Sequence, residues 1–202
     1  MQSPDWRWFH CTTHTYGAWL HGDARGFRTR HHREHVEGDY RNPPPAGTYD
    51  DQLARSKQLL VQEAVSLSPQ WRPIIGEALR EKLLELGAQL LCLSMGSTHA
   101  HLLAKMPPKD IPRDWVGRAK RLATFVGKDH GWTGKLWAVR CKVIPVTTRE
   151  HQLNTRRYIL DHVHEGAWTW DFRAGVAYPG TAVPGLSDGS TLSDKPDTPS
   201  DD

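Results

Sequence analysis

The sequence predicts an α+β fold, in which helices pack on a mostly antiparallel sheet. The predicted elements follow the order strand, helices, two strands, helix, strand, helix, which lacks the regular strand–helix alternation of a parallel sheet. Two apolar strands are separated only by a Gly-Ser turn, which is typical of an antiparallel hairpin. The chain has 202 residues, 38% of them hydrophobic, and this composition fits one domain with a full core.

The first half of the chain contains one strand and two helices. Residues 6–16 are rich in aromatic and β-branched side chains and are predicted to form the first strand. Residues 17–50 are rich in Gly, Pro, Arg and His and have no periodicity, so we expect a long loop insertion. Residues 51–65 have helical spacing with a thin apolar face. Residues 71–86 have apolar side chains at spacings of three and four residues and are predicted to form a helix. Gly87 is placed to end that helix.

The central part contains the hairpin and an amphipathic helix. Residues 89–95 form a short apolar strand, and residues 98–106 form its partner, which is stopped by two prolines. Residues 114–128 place their apolar side chains on one helical stripe. Three cations lie off that stripe and are predicted to contact nucleic acid: Arg118, Lys120 and Arg121.

The last elements are a strand, a helix and a tail. Residues 136–146 are predicted to form a strand, and Thr147 or Thr148 can cap the helix that follows it. This helix is predicted to reach about Glu165 and to end at Gly166. The globular domain therefore spans residues 1–175, and residues 176–202 form an acidic tail that we expect to be disordered.

Charge and cysteine content restrict the class of protein. Residues 186–202 carry five Asp against one Lys, a net of −4, so the formal charge of +3 leaves +7 on the remaining 185 residues. A basic body favours an anionic partner. No apolar run is long enough to span a membrane, and no secretory signal begins the chain. The three cysteines form no CxxC pair, so we expect free thiols and a cytoplasmic location.

A histidine pair is the first motif with chemical content. Side chains alternate faces along a strand, so His99 and His101 point to the same side, and Ala100 points to the other. Neutral imidazole nitrogens are good ligands for divalent metals, and two on one exposed sheet face could share an ion. The alternative is two unrelated histidines on a wet face of the sheet.

The helix predicted near the C-terminal end carries the second motif. Residues three and four apart share a helical face, so Tyr158 and His162 lie on one polar stripe together with His151 and Thr155. We expect Leu153, Leu160 and Val163 to pack on the sheet from another side, which Arg156 interrupts. The alternative is a half-buried tyrosine beside a surface histidine.

Together the two motifs suggest a reaction class. A phenol with a reference pKa near 10 is a poor nucleophile unless the charge on its target is neutralised. A metal ion on a scissile phosphate can neutralise that charge and orient the phosphate for attack. A phosphotyrosine ester and a free 3′-hydroxyl would then form, which keeps the bond energy for rejoining.

The residues that carry these motifs resemble a known family. The run from Gly96 to Leu103, with His99-Ala100-His101 at its centre, is similar to the HUH motif of single-tyrosine transposases. The match is best to the REP-associated tyrosine transposases and to small insertion-sequence transposases. The helix with Tyr158-Ile159 resembles their nucleophile helix, and His162 stands where several members have a polar ligand. The resemblance covers roughly residues 6–172.

The resemblance implies a palm-like, ferredoxin-like α+β fold and cleavage of single-stranded DNA beside hairpin or palindromic elements. It implies Tyr158 as nucleophile, Mg²⁺ or Mn²⁺ as the metal ion, and His99, His101 and His162 as its ligands. Arg157, next to the nucleophile, is expected to contact DNA. A homodimer is compatible with it, with the tyrosine acting in its own subunit or in the partner. One departure is Thr98, where many members have Asn.

Two other functions remain open at this stage. A protein with these motifs can bind DNA hairpins without cutting them. An HxH pair also occurs in amidohydrolase-type metallohydrolases, but that fold needs a barrel of about 250 residues. The loop histidines could bind a second metal, although the neighbouring arginines favour a phosphate-contacting surface. These loop residues are His21, Arg25, Arg28, Arg30, His31, His32, Arg33 and His35.

Overall fold

The computed structural model describes residues 5–26, 36, 42–109 and 111–177 and shows an α+β fold. Within these residues, six strands form one antiparallel sheet in the order β4-β1-β3-β2-β5-β6. In chain order the elements are β1 Arg7–Thr15, α1 Asp50–Gln58, α2 Trp71–Glu85, β2 Gln89–Met95, β3 His99–Met106, α3 Ile111–Asp129, β4 Trp137–Val146, α4 Arg149–Asp161, a 3₁₀ turn His162–Glu165, β5 Trp168–Asp171 and β6 Gly175–Ala177.

The open antiparallel sheet differs from the barrel that an amidohydrolase-type enzyme requires. The predicted hairpin is present, because β2 and β3 pair along their lengths. Two strands were not predicted: β5 and β6 are only four and three residues long, too short to show a clear alternation. Helix α1 ends at Gln58, seven residues before the prediction. It has no buried residue, which agrees with its thin apolar face.

Helices α2 and α3 cover one face of the sheet. Ala100, Leu102 and Ala104 of β3 point to this face and join the main hydrophobic core. Both helices contribute buried side chains to the same core, chiefly Ile75, Ala78, Leu79, Leu83, Val116, Ala119 and Ala123. This layer contains most of the buried apolar surface and therefore most of the hydrophobic stabilisation.

Helix α4 covers part of the other face, packing chiefly on β2, β3 and β5. Ile159 and Leu160 form a second, smaller core there with Leu103 and Cys92. The expectation that Leu153 packs on the sheet was wrong, because its side chain is exposed and Gln152 is buried instead. The helix also ends at Asp161 and continues as a 3₁₀ turn, rather than running as α-helix to Glu165.

Arg156, which interrupts the apolar side of α4, has a buried partner on the sheet. Its Nε donates to a carboxylate oxygen of Asp171 on β5 at 2.8 Å, and Asp171 is 2% exposed. The second carboxylate oxygen accepts from the backbone N–H groups of Arg173 and Ala174. The ion pair therefore fixes α4 to β5, and it explains a cation on a face that was predicted to be apolar.

The segment after α1 closes one end of the sheet. The backbone N–H of Val65 donates to the Tyr16 carbonyl at 2.7 Å, and that of Leu67 donates to the Ser97 carbonyl at 2.7 Å. The predicted insertion is described at residues 17–26, 36 and 42–50, where Val36 is fully buried. The rest of the insertion and residues 178–202, which include nearly all of the predicted tail, lie outside the described residues. Within the described residues, no helix combines the length and the apolar character that crossing a membrane requires.

Candidate metal centre and nucleophile

The two predicted strand histidines share one face of β3, in the middle of the sheet. The side chains of His99 and His101 have ring centroids 4.8 Å apart. Strand β3 pairs with β1 on one side and β2 on the other, so main-chain hydrogen bonds fix both positions. The pair lies on the α4 side, opposite the main core.

His162 from the end of α4 completes a cluster of three imidazoles. Its ring centroid is 4.8 Å from that of His101 and 5.6 Å from that of His99. One nitrogen from each ring can be chosen so that all three lie within 4.8 Å of one another. The structure therefore brings together the three predicted ligands in a group that could hold a metal ion.

The hydrogen bonds of these rings engage Nδ1 of each, and Nε2 of His101 has in addition a long contact of 3.5 Å with the Tyr158 hydroxyl. The Nδ1 of His162 donates to the Tyr158 carbonyl oxygen at 2.8 Å, which requires the proton on Nδ1. The Nδ1 of His101 lies 3.0 Å from both Thr12 Oγ1 and His10 Nε2, and the Nδ1 of His99 lies 3.2 Å from Thr98 Oγ1. In the Nδ1–H tautomer each ring donates outward and presents the Nε2 lone pair, as metal-binding histidines do.

Burial favours the neutral form of the two strand histidines. Burial, together with the charges of neighbouring groups, lowers the pKa of His99 to about 4 and that of His101 well below its ordinary range. Neutral imidazole is the form that binds metal, so no proton has to be displaced from His99 or His101 near pH 7. Three nitrogen donors fit a transition ion such as Mn²⁺ better than Mg²⁺, which prefers oxygen.

Tyr158 lies beside the cluster rather than apart from it. Its hydroxyl oxygen is 3.5 Å from Nε2 of His101. The phenol ring is in edge contact with His101 at 5.2 Å and with His162 at 4.7 Å between centroids. The predicted nucleophile and the predicted ligands therefore occupy one site.

The expectation that the histidine pair lies on an exposed face of the sheet was wrong. His101 is 5% exposed and His162 is 6% exposed, because α4 and its 3₁₀ turn cover them. His99 is half-buried and forms the open side of the cluster. Asp161 and His164, which lie close to His162 in the sequence, are exposed and lie outside the three-histidine group.

Strand β1 adds polar groups that the sequence analysis did not assign to the site. Thr12 pairs with His101 in the sheet register, and His14 pairs with His99, so all four side chains share a face. His10 reaches Nδ1 of His101, and burial lowers the pKa of His10 to about 4, with the charges of His151, Lys142 and His162 acting in the same direction. The alternation of His10, Thr12 and His14 could have predicted that these side chains share a face of β1. The pairing of β1 with β3, which brings that face to the cluster, could not be predicted from local sequence.

The predicted DNA-contacting cations of α3 do not adjoin this site. Helix α3 packs on the opposite face of the sheet, so Arg118 and Arg121 are exposed on the far side. The prediction that Lys120 contacts nucleic acid was wrong, because its side chain is buried and not on the surface. Its ammonium group donates to the Ala138 and Val139 carbonyl oxygens at 2.6 and 3.3 Å, and burial lowers its pKa.

Other cations lie nearer to the cluster. Lys142 of β4 is exposed, pairs with Thr12 in the register and faces the α4 side of the sheet. Arg157 of α4 is also exposed, and one of its guanidinium nitrogens donates to Asn154 Oδ1 at 3.1 Å. We name the part of this sheet face formed by His10, Thr12, His14 and Lys142 the β1–β4 face. It is the side on which α4 leaves the sheet more open.

No protein-family model matches the chain, and none of the curated proteins is significantly similar to it. The site therefore stands on its own geometry: three buried or half-buried imidazoles, one phenol in contact with them, and beside them a half-buried sheet face that carries the exposed cation Lys142.

Proposed function

We propose that the protein cleaves and rejoins single-stranded DNA through a covalent phosphotyrosine intermediate, with Tyr158 as the nucleophile. The observation that carries this proposal is the 3.5 Å contact between the Tyr158 hydroxyl and Nε2 of His101. This contact puts the hydroxyl beside a group of three imidazoles that could hold a metal ion. A phenol that attacks a phosphate held by such an ion has to lie there.

In the proposed reaction the Tyr158 oxygen attacks the scissile phosphorus, and its proton leaves to solvent. A Tyr–O–P bond forms and the P–O3′ bond breaks, so the leaving strand takes up a proton and ends in a 3′-hydroxyl. The 5′-phosphate stays on the protein, and attack by another 3′-hydroxyl reverses the step and joins two strands. Strand transfer of this type is the chemistry of DNA transposition.

The chain's own residues have distinct parts in this scheme. His99, His101 and His162 hold the ion, which when bound neutralises charge on the phosphate and polarises it. The nitrogen set favours Mn²⁺ over Mg²⁺. Thr12 and His10 orient His101, and Thr98 orients His99.

We place the single strand on the β1–β4 face. Lys142 is an exposed cation there and can neutralise phosphate charge. Arg157 lies on the nucleophile helix itself and keeps its predicted role. Arg118 and Arg121 are separated from the centre by the sheet, so any DNA they contact is not the segment being cut.

A gel assay tests the nucleophile. A labelled single-stranded oligonucleotide that carries one hairpin is incubated with the protein and Mn²⁺, then run under denaturing conditions. We expect a covalent adduct for the native protein and for Tyr16→Phe, but none for Tyr158→Phe. Fluorescence anisotropy should show that Tyr158→Phe still binds the oligonucleotide.

Two outcomes would contradict the proposal. An adduct that persists in Tyr158→Phe removes the assignment of the nucleophile. Tight hairpin binding with no adduct from the native protein, with Mn²⁺ or Mg²⁺ present, would instead favour a DNA-binding protein that does not cut.

A further inference from the structure

One tryptophan stands apart from the others in exposure. All nine tryptophans lie in the described residues, and Trp19 is the most exposed of them, at 39%. A large aromatic side chain in a loop is normally buried for the stability it adds. A fixed and exposed aromatic ring near a catalytic centre suggests a stacking surface for a ligand.

The Trp19 ring is held in place despite its exposure. Its indole N–H donates to the Gly26 carbonyl oxygen at 2.7 Å, and the Arg25 guanidinium donates to the Ala18 carbonyl at 2.7 Å. Asp23 accepts from the Arg25 Nε at 2.8 Å. These bonds tie the turns of residues 17–26 together, so the ring is positioned before any ligand arrives.

The ring lies close to the three-histidine cluster. Its centroid is 5.1 Å from that of His14, and His14 is 6.0 Å from His99, a predicted metal ligand. His14 and His99 pair in the sheet register, so Trp19 lies at one end of the β1–β4 face. A phosphate at the cluster would therefore be about one nucleotide away from the indole.

The chemistry of the surface selects a nucleobase. The Arg25 guanidinium lies over the indole at 4.7 Å from its centroid, and about half of the Arg25 side chain is exposed. Indole and guanidinium are both planar groups on which bases stack, and the cation suits a polyanionic strand.

We propose that Trp19 and Arg25 form a subsite that stacks one nucleobase of single-stranded DNA next to the scissile phosphate. This inference rests on the proposed function for the position of that phosphate. It goes further in assigning recognition of a base, independent of base pairing, to the turn that follows β1. Every base has a stacking face, so the subsite tolerates different bases and requires only that one is present.

Binding measurements with abasic oligonucleotides test the subsite. The probe is a fluorescein-labelled single strand with one hairpin and an unpaired arm, and an abasic site is placed at each arm position in turn. Trp19→Ala should weaken binding of the intact probe about 10-fold, because it removes the ring on which the base stacks. Trp19→Phe should recover most of the loss. Phe125→Ala, an exposed aromatic on α3 across the sheet, is the matched control and should bind like the native protein.

The abasic probes distinguish stacking from a structural role of Trp19. At one arm position, the abasic site should weaken binding by the native protein as much as Trp19→Ala weakens binding of the intact probe. The two changes together should then reduce the affinity little more than either one alone. Fully additive losses at every position would mean that Trp19 only holds its loop, which overturns the subsite. An unchanged affinity of Trp19→Ala for the intact probe would also overturn it.

The proposed function fails separately from this inference. If the native protein forms no covalent adduct but Trp19→Ala still weakens binding, cleavage is refuted and a base-binding subsite remains. A normal adduct with no Trp19 effect would refute the subsite alone.

Discussion

The Nδ1 atom of His162 donates a hydrogen bond to the backbone carbonyl oxygen of Tyr158, 2.8 Å away. One bond thus fixes the tautomer of the third imidazole and caps a carbonyl where α4 ends. The residue that carries the predicted nucleophile and the residue that completes the cluster are therefore positioned by the same contact. A change at His162 should affect both metal binding and the end of the helix.

His162→Ala should lower the affinity for Mn²⁺ by at least about 10-fold, because substitutions that disturb only the partners of metal ligands already cost that much. Isothermal titration calorimetry measures the affinity. His164→Ala is the matched control, since His164 lies in the same 3₁₀ turn but is exposed. Equal Mn²⁺ affinities for the two variants would remove His162 from the ligand set.

Mn²⁺ should raise the melting temperature more than Mg²⁺ at the same concentration, because three imidazole nitrogens discriminate against the harder ion. Differential scanning fluorimetry in each metal checks this. His99→Ala should lose most of the Mn²⁺-dependent increase while folding without metal, since His99 is on the open side of the cluster. A larger increase with Mg²⁺ than with Mn²⁺ would contradict the donor set.

The metal-free protein should lose stability as the pH falls from about 6.5 towards 4. Burial lowers the pKa of His10 and of His99 to about 4, so the unfolded chain takes up protons there that the folded chain does not. The contribution of these two histidines to the free energy of unfolding is therefore fully present above about pH 6.5. Urea unfolding in chelator at pH 7, 6 and 5 measures the slope, and His10→Gln should reduce it by up to one proton. An unchanged slope in that variant would contradict a neutral, buried His10.

Gly76→Ala should destabilise the fold, although alanine favours helix by about 1 kcal/mol. A Cβ atom built at Gly76 would lie 2.3 Å from the ring of the buried Trp168, so α2 would have to move away from β5. Overpacking of this kind costs about 1–3 kcal/mol. Gly117→Ala on α3 is the opposite case, because its Cβ would meet nothing within 4 Å. Chemical denaturation should show opposite signs for the two variants.

Arg156→Ala should destabilise the protein by about 3 kcal/mol, because it leaves the buried Asp171 carboxylate without its cation. Arg157→Ala removes an exposed neighbour and should change stability by less than about 0.5 kcal/mol. Denaturant unfolding of both variants provides the comparison. Similar values for the two would mean that the ion pair does not fix α4 to the sheet.

Local patterns predicted much of this molecule. Alternation along β3 placed His99 and His101 on one face, and helical spacing placed Tyr158 and His162 on one stripe of α4. Both depend only on neighbours within the same element. The meeting of the two elements was an expectation that came with the family resemblance.

Long-range pairing was the part that local patterns could not supply. Sequence alone did not show that α4 would bury His101, that α3 would lie across the sheet from the cluster, or that Lys120 would turn inwards to two carbonyls of β4. The role of Arg156 required its partner on β5, a strand too short to recognise. Each of these contacts joins residues on different elements.

The central position of β3 has a consequence for how the protein would use its ion. Two of the three imidazoles stand on a strand whose main chain is bonded on both sides, so their spacing is established by folding and not by the ion. Little further ordering is then needed when an ion arrives, which is the thermodynamic meaning of preorganisation. The free concentration of the divalent ion, rather than the stability of the chain, would set the fraction of molecules able to react. Removal and return of the ion should be reversible without a cycle of unfolding.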